Sequence, residues 1–179
     1  ACSCMPRYPR RERRGFLHKL MNKFLIRPAQ PGDVSAILGM ITELAEFEKL
    51  THLMSATGPV LHDALFGAHP AAESIVGVED GVPVTFALFF HNFSTFMGRK
   101  GLYLEDLYVK QAHRRKGYGK AMLGELARIA VERDCGRFEW SVLDWNENAI
   151  RFYQGLGADV MPDWRICRVT GPALEKLAK

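Results

Sequence analysis

The sequence lacks the cysteine and histidine patterns of a disulfide framework or a metal site. Of its four cysteines, Cys2 and Cys4 lie near the start, and Cys135 and Cys167 are far apart; no CxxC pair occurs. The six histidines form no HExxH motif. These absences favour free thiols in a reducing cytoplasm and predict that the protein binds no metal ion.

Long apolar runs and a basic nucleic-acid-binding body are also absent. No apolar stretch approaches the roughly 20 residues that span a bilayer. The net charge is +4, but residues 1–23 alone carry +6, which leaves −2 for the rest of the chain. Because no helix in that remainder has basic residues along one face, we expect neither a nucleic-acid partner nor a membrane partner.

The basic segment is expected to stand apart from the folded domain. Residues 1–22 are rich in Arg, have no apolar core of a secretory signal, and predict a disordered extension. Met21 precedes the first strand-like run, so we take Met21 as the hypothetical start of translation. The domain prediction is therefore a single domain over residues 23–179.

Hydrophobic periodicity predicts an alternation of strands and helices. The predicted strands cover residues 23–29, 74–79, 84–93, 102–109, 137–143 and 164–169. The predicted helices cover residues 34–48 with Asp33 as cap, 59–66, 118–133 ending at Cys135-Gly136, 146–156 and a short C-terminal helix. This order predicts an α/β fold, with a mixed sheet that carries helices on its faces.

A glycine-rich loop lies between the strand at 102–109 and the next helix. Its residues 114–119, RRKGYG, match the pattern R-x-x-G-x-G. Glycines let backbone N–H groups converge, and the following helix adds a positive N-terminal dipole, so this geometry suits phosphate. The P-loop and dinucleotide-binding patterns are absent. On these six residues alone, a solvated loop with a glycine helix start remains an alternative.

Neighbouring stretches carry a family resemblance. They are YLEDLYV (103–109), the loop itself and WNENAIRFYQGLGA (145–158), together with the strand and helix at 24–50. This set resembles the GNAT superfamily of acetyl-CoA-dependent N-acetyltransferases over roughly residues 24–179. AEFEKL (45–50) and VLDWN (142–146) resemble its spermidine/spermine (diamine) branch, particularly thialysine-acetylating members. The resemblance implies a GNAT-like fold whose central mixed sheet is mostly antiparallel.

The resemblance also implies an acetyl-CoA site. The strand matching LEDLYV is bulged in the family, and the backbone at Leu107 and Val109 would pair with the pantetheine arm and the acetyl carbonyl. The pyrophosphate would bind the N–H groups of residues 115–120. The implied cofactor-binding residues are Leu107, Tyr108, Val109, Arg114, Arg115, Lys116, Gly117, Tyr118, Gly119, Lys120, Asn146 and Ala149. Asn146 is equally a helix N-cap.

Catalytic roles follow from the same resemblance. Tyr153 matches the tyrosine that protonates the departing CoA thiolate; a phenol pKa near 10 keeps that proton available at neutral pH. On its residue type alone, Tyr153 is a half-buried core residue, and Phe152 beside it is the better packing candidate. Glu105 would hold or deprotonate the acceptor amine, because an ammonium with a pKa of about 10.4 cannot attack.

The acceptor site would be acidic. The implied substrate-binding residues are Glu48, Glu105, Asp106 and Trp145. Without the resemblance these acids are surface charges. Adjacent strand residues point to opposite faces, so only one of Glu105 and Asp106 is expected to face the cleft.

The predicted function is direct acetyl transfer from acetyl-CoA to a primary amine of a diamine, polyamine or lysine-like amino acid. Alternatives are a peptide, protein or drug amine as acceptor, or a non-catalytic acetyl-CoA sensor. The segment at 159–163 is shorter than in diamine enzymes, and Asp163 is a candidate for their missing acid. A homodimer is expected by the same resemblance.

Overall fold

The computed structural model describes residues 24–179, which form two compact units. The described part of the first unit covers residues 24–138, and the second is Glu139–Lys179. The extension predicted over residues 1–22 lies outside the described residues. The prediction of one acetyltransferase domain over residues 23–179 stays a prediction.

The first unit contains most of the sheet and three helices. In chain order these elements are β1 (Phe24–Pro28), α1 (Val34–Glu48), α2 (Gly58–Phe66), β2 (Glu73–Glu79), β3 (Val82–Ser94), β4 (Arg99–Val109) and α3 (Tyr118–Glu132). The strand β5 (Phe138–Trp140) begins at the last residue of this unit, and the strands follow the order β1-β2-β3-β4-β5. Strands β1 to β4 pair antiparallel. This mixed sheet with flanking helices confirms the predicted fold class.

A tight turn sets the register of β2 and β3. Asp80 and Gly81 both have positive φ, 51° and 85°. Two consecutive residues with positive φ are the signature of a two-residue hairpin turn whose twist matches that of the strands. The Asp-Gly dipeptide predicted this turn correctly.

The apolar faces that the periodicity predicted are buried. One core cluster joins α1 and α2 to the sheet through Val34, Ile37, Met40, Leu61, Leu65, Val76, Val78, Phe86 and Tyr108. Helix α3 contacts β3 and β4 and buries Met122, Leu123, Leu126, Ile129 and Ala130. Burying each of the larger side chains contributes about 1.5–3 kcal/mol, so α1 and α3, which both contact β4, hold that strand in place.

Two predicted caps differ from the structure. The Asp33 carboxylate does not cap α1; it accepts hydrogen bonds from Arg27 Nη1 and Nη2 at 2.6 and 2.9 Å and from the Gln30 N–H at 2.8 Å. Arg27 occupies both carboxylate oxygens of Asp33 with a bidentate guanidinium pair, so the carboxylate is directed at Arg27 and not at the N–H groups of α1. Helix α3 ends one turn before Gly136: Asp134 takes φ 52°, and the Cys135 N–H bonds the Ala130 carbonyl.

The second unit is less regular than predicted. It contains α4 (Glu147–Gln154) and α5 (Pro172–Leu177). The strand predicted over 137–143 shortens to β5, and the strand predicted over 164–169 is wrong, because these residues are irregular and exposed. Alternating apolar side chains express strand propensity, but a strand also needs a neighbour for its backbone N–H and C=O groups.

Candidate functional site

Strand β4 contains a bulge at Glu105. Phe89 of β3 pairs with Leu104 and Leu88 pairs with Asp106, so Glu105 is the extra residue. A bulge removes one residue from the ladder and changes which backbone groups of the following residues face the neighbouring strand. The bulge that the family resemblance implied therefore lies within LEDLYV.

The bulge turns the backbone of Leu107 and Val109 away from β3. Before it, the Leu102 N–H bonds the Arg137 carbonyl and so points away from β3. After it, the Lys110 N–H bonds the Val84 carbonyl of β3. Because backbone groups alternate along a strand, only an extra residue reconciles these two directions. Leu107 and Val109 consequently present their N–H and C=O groups at the edge of β4 opposite β3.

The same bulge puts Glu105 and Asp106 on one face of the sheet, which corrects the prediction that only one could face a cleft. Tyr103 pairs with Phe90 and Asp106 pairs with Leu88, and these two β3 residues share a face. Glu105 follows Tyr103 by two residues and so points to that face as well. Side chains normally alternate between the two faces of a strand. The alternation fails here because, at a bulge, two residues of one strand lie opposite one residue of the neighbouring strand.

These two acids and Glu48 form a carboxylate cluster. Burial is the main cause that raises the pKa of Asp106 to about 6, and the charges of Glu105 and Glu48 raise it further. Burial also raises the pKa of Glu48, at the end of α1. Glu105 itself is exposed. Three carboxylates within electrostatic reach of one another make a site for a cation, since a cation relieves their mutual repulsion.

The glycine-rich loop makes a cradle of backbone N–H groups before α3. Arg115 and Gly117 both take positive φ, 63° and 84°. The N–H groups of the first helical residues have no intrahelical acceptor, and the Ala121 N–H makes the bond to the Gly117 carbonyl. Left-handed residues beside a helix start turn successive N–H groups toward one point, which suits an anion.

Side chains of this loop mostly contact protein. The Arg114 guanidinium lies 5.4 and 5.3 Å from the ring centres of Phe47 and Tyr108, and its Nε donates to the Val109 carbonyl at 3.1 Å. Lys116 and Tyr118 contact the carboxylate of Glu79. Arg115 and Lys120 are exposed. The backbone N–H groups, more than these side chains, are therefore available to an anion.

In the second unit, Asn146 and Tyr153 occupy opposite ends of α4. Asn146 caps the helix, because its Oδ1 accepts from the Ala149 N–H at 3.2 Å. The half-buried Tyr153 ring meets Trp140 edge-on, with ring centres 5.1 Å apart. Phe152 is more exposed than Tyr153, contrary to the expectation that it packs. Trp145, before the helix, is 53% exposed.

The predicted site residues thus divide into three groups. The cluster contains Glu48, Glu105 and Asp106. The strand edge and the cradle contain residues 107–109 and 114–120. The second unit contains Trp145, Asn146, Ala149 and Tyr153. Sequence reasoning missed Glu79, whose carboxylate is buried against the loop. Its only sequence signal is an acid before an Asp-Gly turn, which is also typical of an exposed hairpin.

Comparison with known proteins shows the family to which the chain belongs. A family model described as "Acetyltransferase (GNAT) family" matches residues 39–158. The chain belongs to the GNAT family of acetyltransferases. It is 34% identical over 207 residues to the L-ornithine N5-acetyltransferase of Arabidopsis thaliana, with 90% of each chain covered. It is 36% identical over 169 residues to the thialysine N-epsilon-acetyltransferase of Sus scrofa, covering 88% of this chain and 99% of that one.

A solved structure agrees with the fold. The integron cassette protein VCH_CASS6 from the mobile metagenome of V. cholerae superimposes with a TM-score of 0.73 and 27% sequence identity. The match covers 87% of this chain and 98% of that protein. This chain therefore shares its fold with that protein over most of its length.

The GNAT family uses acetyl-CoA as its acetyl donor, and the first unit fits that molecule. The cradle supplies uncharged N–H donors and a helix N-terminus for a pyrophosphate. A Cβ added at Gly119 would meet only Val109 Cγ2, at 3.8 Å, so the glycine leaves open space at the helix start. The edge of β4 at Leu107 and Val109 supplies the backbone groups that an extended amide-containing arm can pair with.

Other site classes find no support in the described part of the chain. Residues 24–179 include no cluster of three or more His, Cys, Asp or Glu side chains suited to a metal ion. None of the helices in this range combines the length and apolar character that a membrane crossing requires.

Proposed function

We propose that this GNAT enzyme transfers an acetyl group from acetyl-CoA to the side-chain amine of a small basic amino acid of the ornithine or thialysine class. The observation that carries the proposal is the carboxylate cluster: Glu105 and Asp106 lie on the bulged strand that also presents Leu107 and Val109, and Glu48 of α1 lies within electrostatic reach of Asp106. The two relatives supply the acceptor class, since one is an L-ornithine N5-acetyltransferase and the other a thialysine N-epsilon-acetyltransferase, and both names refer to a side-chain amine.

The cluster has two tasks in this proposal. Its negative charge attracts an ammonium group, and an ammonium must then lose a proton before its nitrogen can attack a carbonyl. Glu105 is exposed and reaches solvent, so it serves as the base, directly or through a water. Asp106 and Glu48, which are more buried, hold the cation in place.

In this proposal, acetyl-CoA is bound mainly by backbone groups, and the phenol of one tyrosine takes part in the reaction. Acetyl-CoA supplies an activated thioester when it is bound. The N–H groups of residues 115–120 bind its pyrophosphate, and the backbone at Leu107 and Val109 orients the acyl arm and its carbonyl. Asn146 and Ala149 lie at the start of α4 and add contacts there. Tyr153 holds the proton that the departing thiolate requires.

We also propose a homodimer. In the second unit, the segment that connects α4 to α5 has several exposed apolar side chains. Among them are Met161, which is 60% exposed, Trp164 at 72% and Ile166 at 71%. Exposed apolar side chains of this kind are typical of a surface that associates with another protein surface. Light scattering that gives a monomer mass would contradict this assembly.

The function is tested by measuring thiol release from acetyl-CoA with a panel of amines. We expect turnover with ornithine and thialysine and weaker turnover with putrescine and spermidine. Preference for putrescine or spermidine would transfer the proposal to the diamine class. Turnover with a peptide amine alone would contradict it.

The cradle is tested by Gly119→Ala. The added methyl group fits the fold but covers the N–H groups at the helix start, so we expect KM for acetyl-CoA to rise about tenfold, the loss of roughly one charge-assisted hydrogen bond. The matched control is Gly124→Ala on the exposed side of the same helix, where a Cβ meets nothing within 4 Å. The control should stabilise the protein by up to about 1 kcal/mol and leave KM unchanged. Equal KM values in both variants would argue against the cradle.

A further inference from the structure

Glu79 is a buried carboxylate outside the residues proposed to touch substrate or cofactor. It is the last residue of β2, directly before the Asp80-Gly81 turn, and its side chain is only 4% exposed. An ionised carboxylate at such a position costs several kcal/mol unless charged and hydrogen-bonding partners surround it. Its partners therefore identify what it does.

Those partners come from the glycine-rich loop. Lys116 Nζ donates to the two carboxylate oxygens at 2.9 and 3.0 Å, and Tyr118 Oη donates to Oε1 at 2.7 Å. His113 Nδ1 forms a further short contact with Oε2. One carboxylate thus contacts the residues immediately before and after Gly117, whose left-handed backbone shapes the cradle.

Tyr118 has a second contact, with an aromatic residue of β1. The Tyr118 ring stacks on Phe24 of β1, with ring centres 3.8 Å apart and planes 5° apart. Burial, followed by Glu79 and Asp80, raises the pKa of Tyr118 to about 12, so the phenol remains a hydrogen-bond donor to Glu79. The start of α3 is therefore fixed to β1 and β2, not only to the strand that precedes it.

The geometry points to Glu79 as a positioning residue for the anion-binding cradle: its carboxylate holds Lys116 and Tyr118 so that the backbone N–H groups around Gly117 converge. This inference rests on the proposed acetyl-CoA function. It assigns Lys116 a role different from that of a phosphate ligand. The ammonium of Lys116 neutralises Glu79 and secures the loop, while the backbone contacts the phosphate.

The test uses two acetyl donors that differ in the pyrophosphate. Glu79→Gln keeps the side-chain volume but removes the charge that binds Lys116. We expect kcat/KM with acetyl-CoA to fall about tenfold through KM, with kcat nearly unchanged. With S-acetylpantetheine, which has no phosphate, kcat/KM should stay at the wild-type level. The matched control is Glu73→Gln at the other end of β2, which breaks the ion pair with Arg133 and should affect neither donor.

Two kinetic outcomes overturn the inference: equal losses with both donors, which indicate general damage to the fold, or no loss with acetyl-CoA. Should Glu79→Gln not fold, Lys116→Met and Tyr118→Phe each remove one donor and must show the same dependence on the pyrophosphate. Calorimetry with CoA separates this idea from the proposed function. Wild-type protein that binds no CoA refutes both, whereas equal CoA binding by wild type and Glu79→Gln refutes only the role of Glu79.

Discussion

Replacing Tyr153 by Phe is expected to lower kcat by about 100-fold or more, the usual contribution of a positioned general acid. The variant keeps the aromatic ring that meets Trp140 edge-on and loses the hydroxyl group, and with it the proton to be donated. A thiolate that leaves without this proton must take one from water, which raises the barrier of the chemical step. KM for acetyl-CoA should change little, because the phenol acts during transfer. Steady-state thiol release with both substrates varied measures the two parameters.

Phe152→Leu is the matched control for Tyr153→Phe. Phe152 lies on the same turn of α4 and is 39% exposed, so its loss tests whether any aromatic change in this helix lowers turnover. We expect the control to retain most of the wild-type kcat. An unchanged kcat in Tyr153→Phe would remove Tyr153 from the mechanism and leave proton transfer to water.

Replacing Glu105 by Gln is expected to lower kcat/KM for the amine by about 100-fold, while KM for acetyl-CoA stays the same. The substitution removes a base and one of the charges that attract the ammonium. It also removes one cause of the raised pKa of Asp106, so that pKa should fall. The measurement is the pH dependence of kcat/KM for the amine.

The direction of the pH effect follows from Asp106. This carboxyl attracts a cation only when it is ionised, that is, above its pKa of about 6. Activity toward the amine should therefore decline as the pH falls through about 6 in the wild type. In Glu105→Gln the decline should move to lower pH, and in Asp106→Asn it should disappear. Glu46→Gln, which removes an exposed charge from α1, is the control and should leave the decline in place.

The regular parts of the fold were predictable because local physics decides them. Helices α1 and α3 show an apolar residue at each turn facing the sheet, and the Asp80-Gly81 dipeptide has the backbone freedom that a two-residue turn requires. The N-cap at Asn146 is also local, since the side chain and the Ala149 N–H lie three residues apart.

The rest depends on partners distant in sequence. The Asp33 carboxylate that was expected to cap α1 is bound by Arg27, and the opposite faces expected for Glu105 and Asp106 follow only if β4 pairs without a bulge. Glu79 is separated from Lys116 and Tyr118 by two strands and a loop, so no sequence window contains the interaction. The family resemblance supplied the bulge and the site residues that periodicity does not reveal.

The extra residue in β4 links two properties that an enzyme designer would prefer to adjust separately. Under the proposed function, exchanging the side chain at Glu105 would change the preference for one amine over another. Deleting the residue would have a different effect, because a strand shortened by one position would rotate the Leu107 and Val109 amides into the ladder with β3. The proposal therefore leaves acceptor preference open to substitution, whereas a deletion at this position would also remove the backbone groups assigned to the acetyl donor.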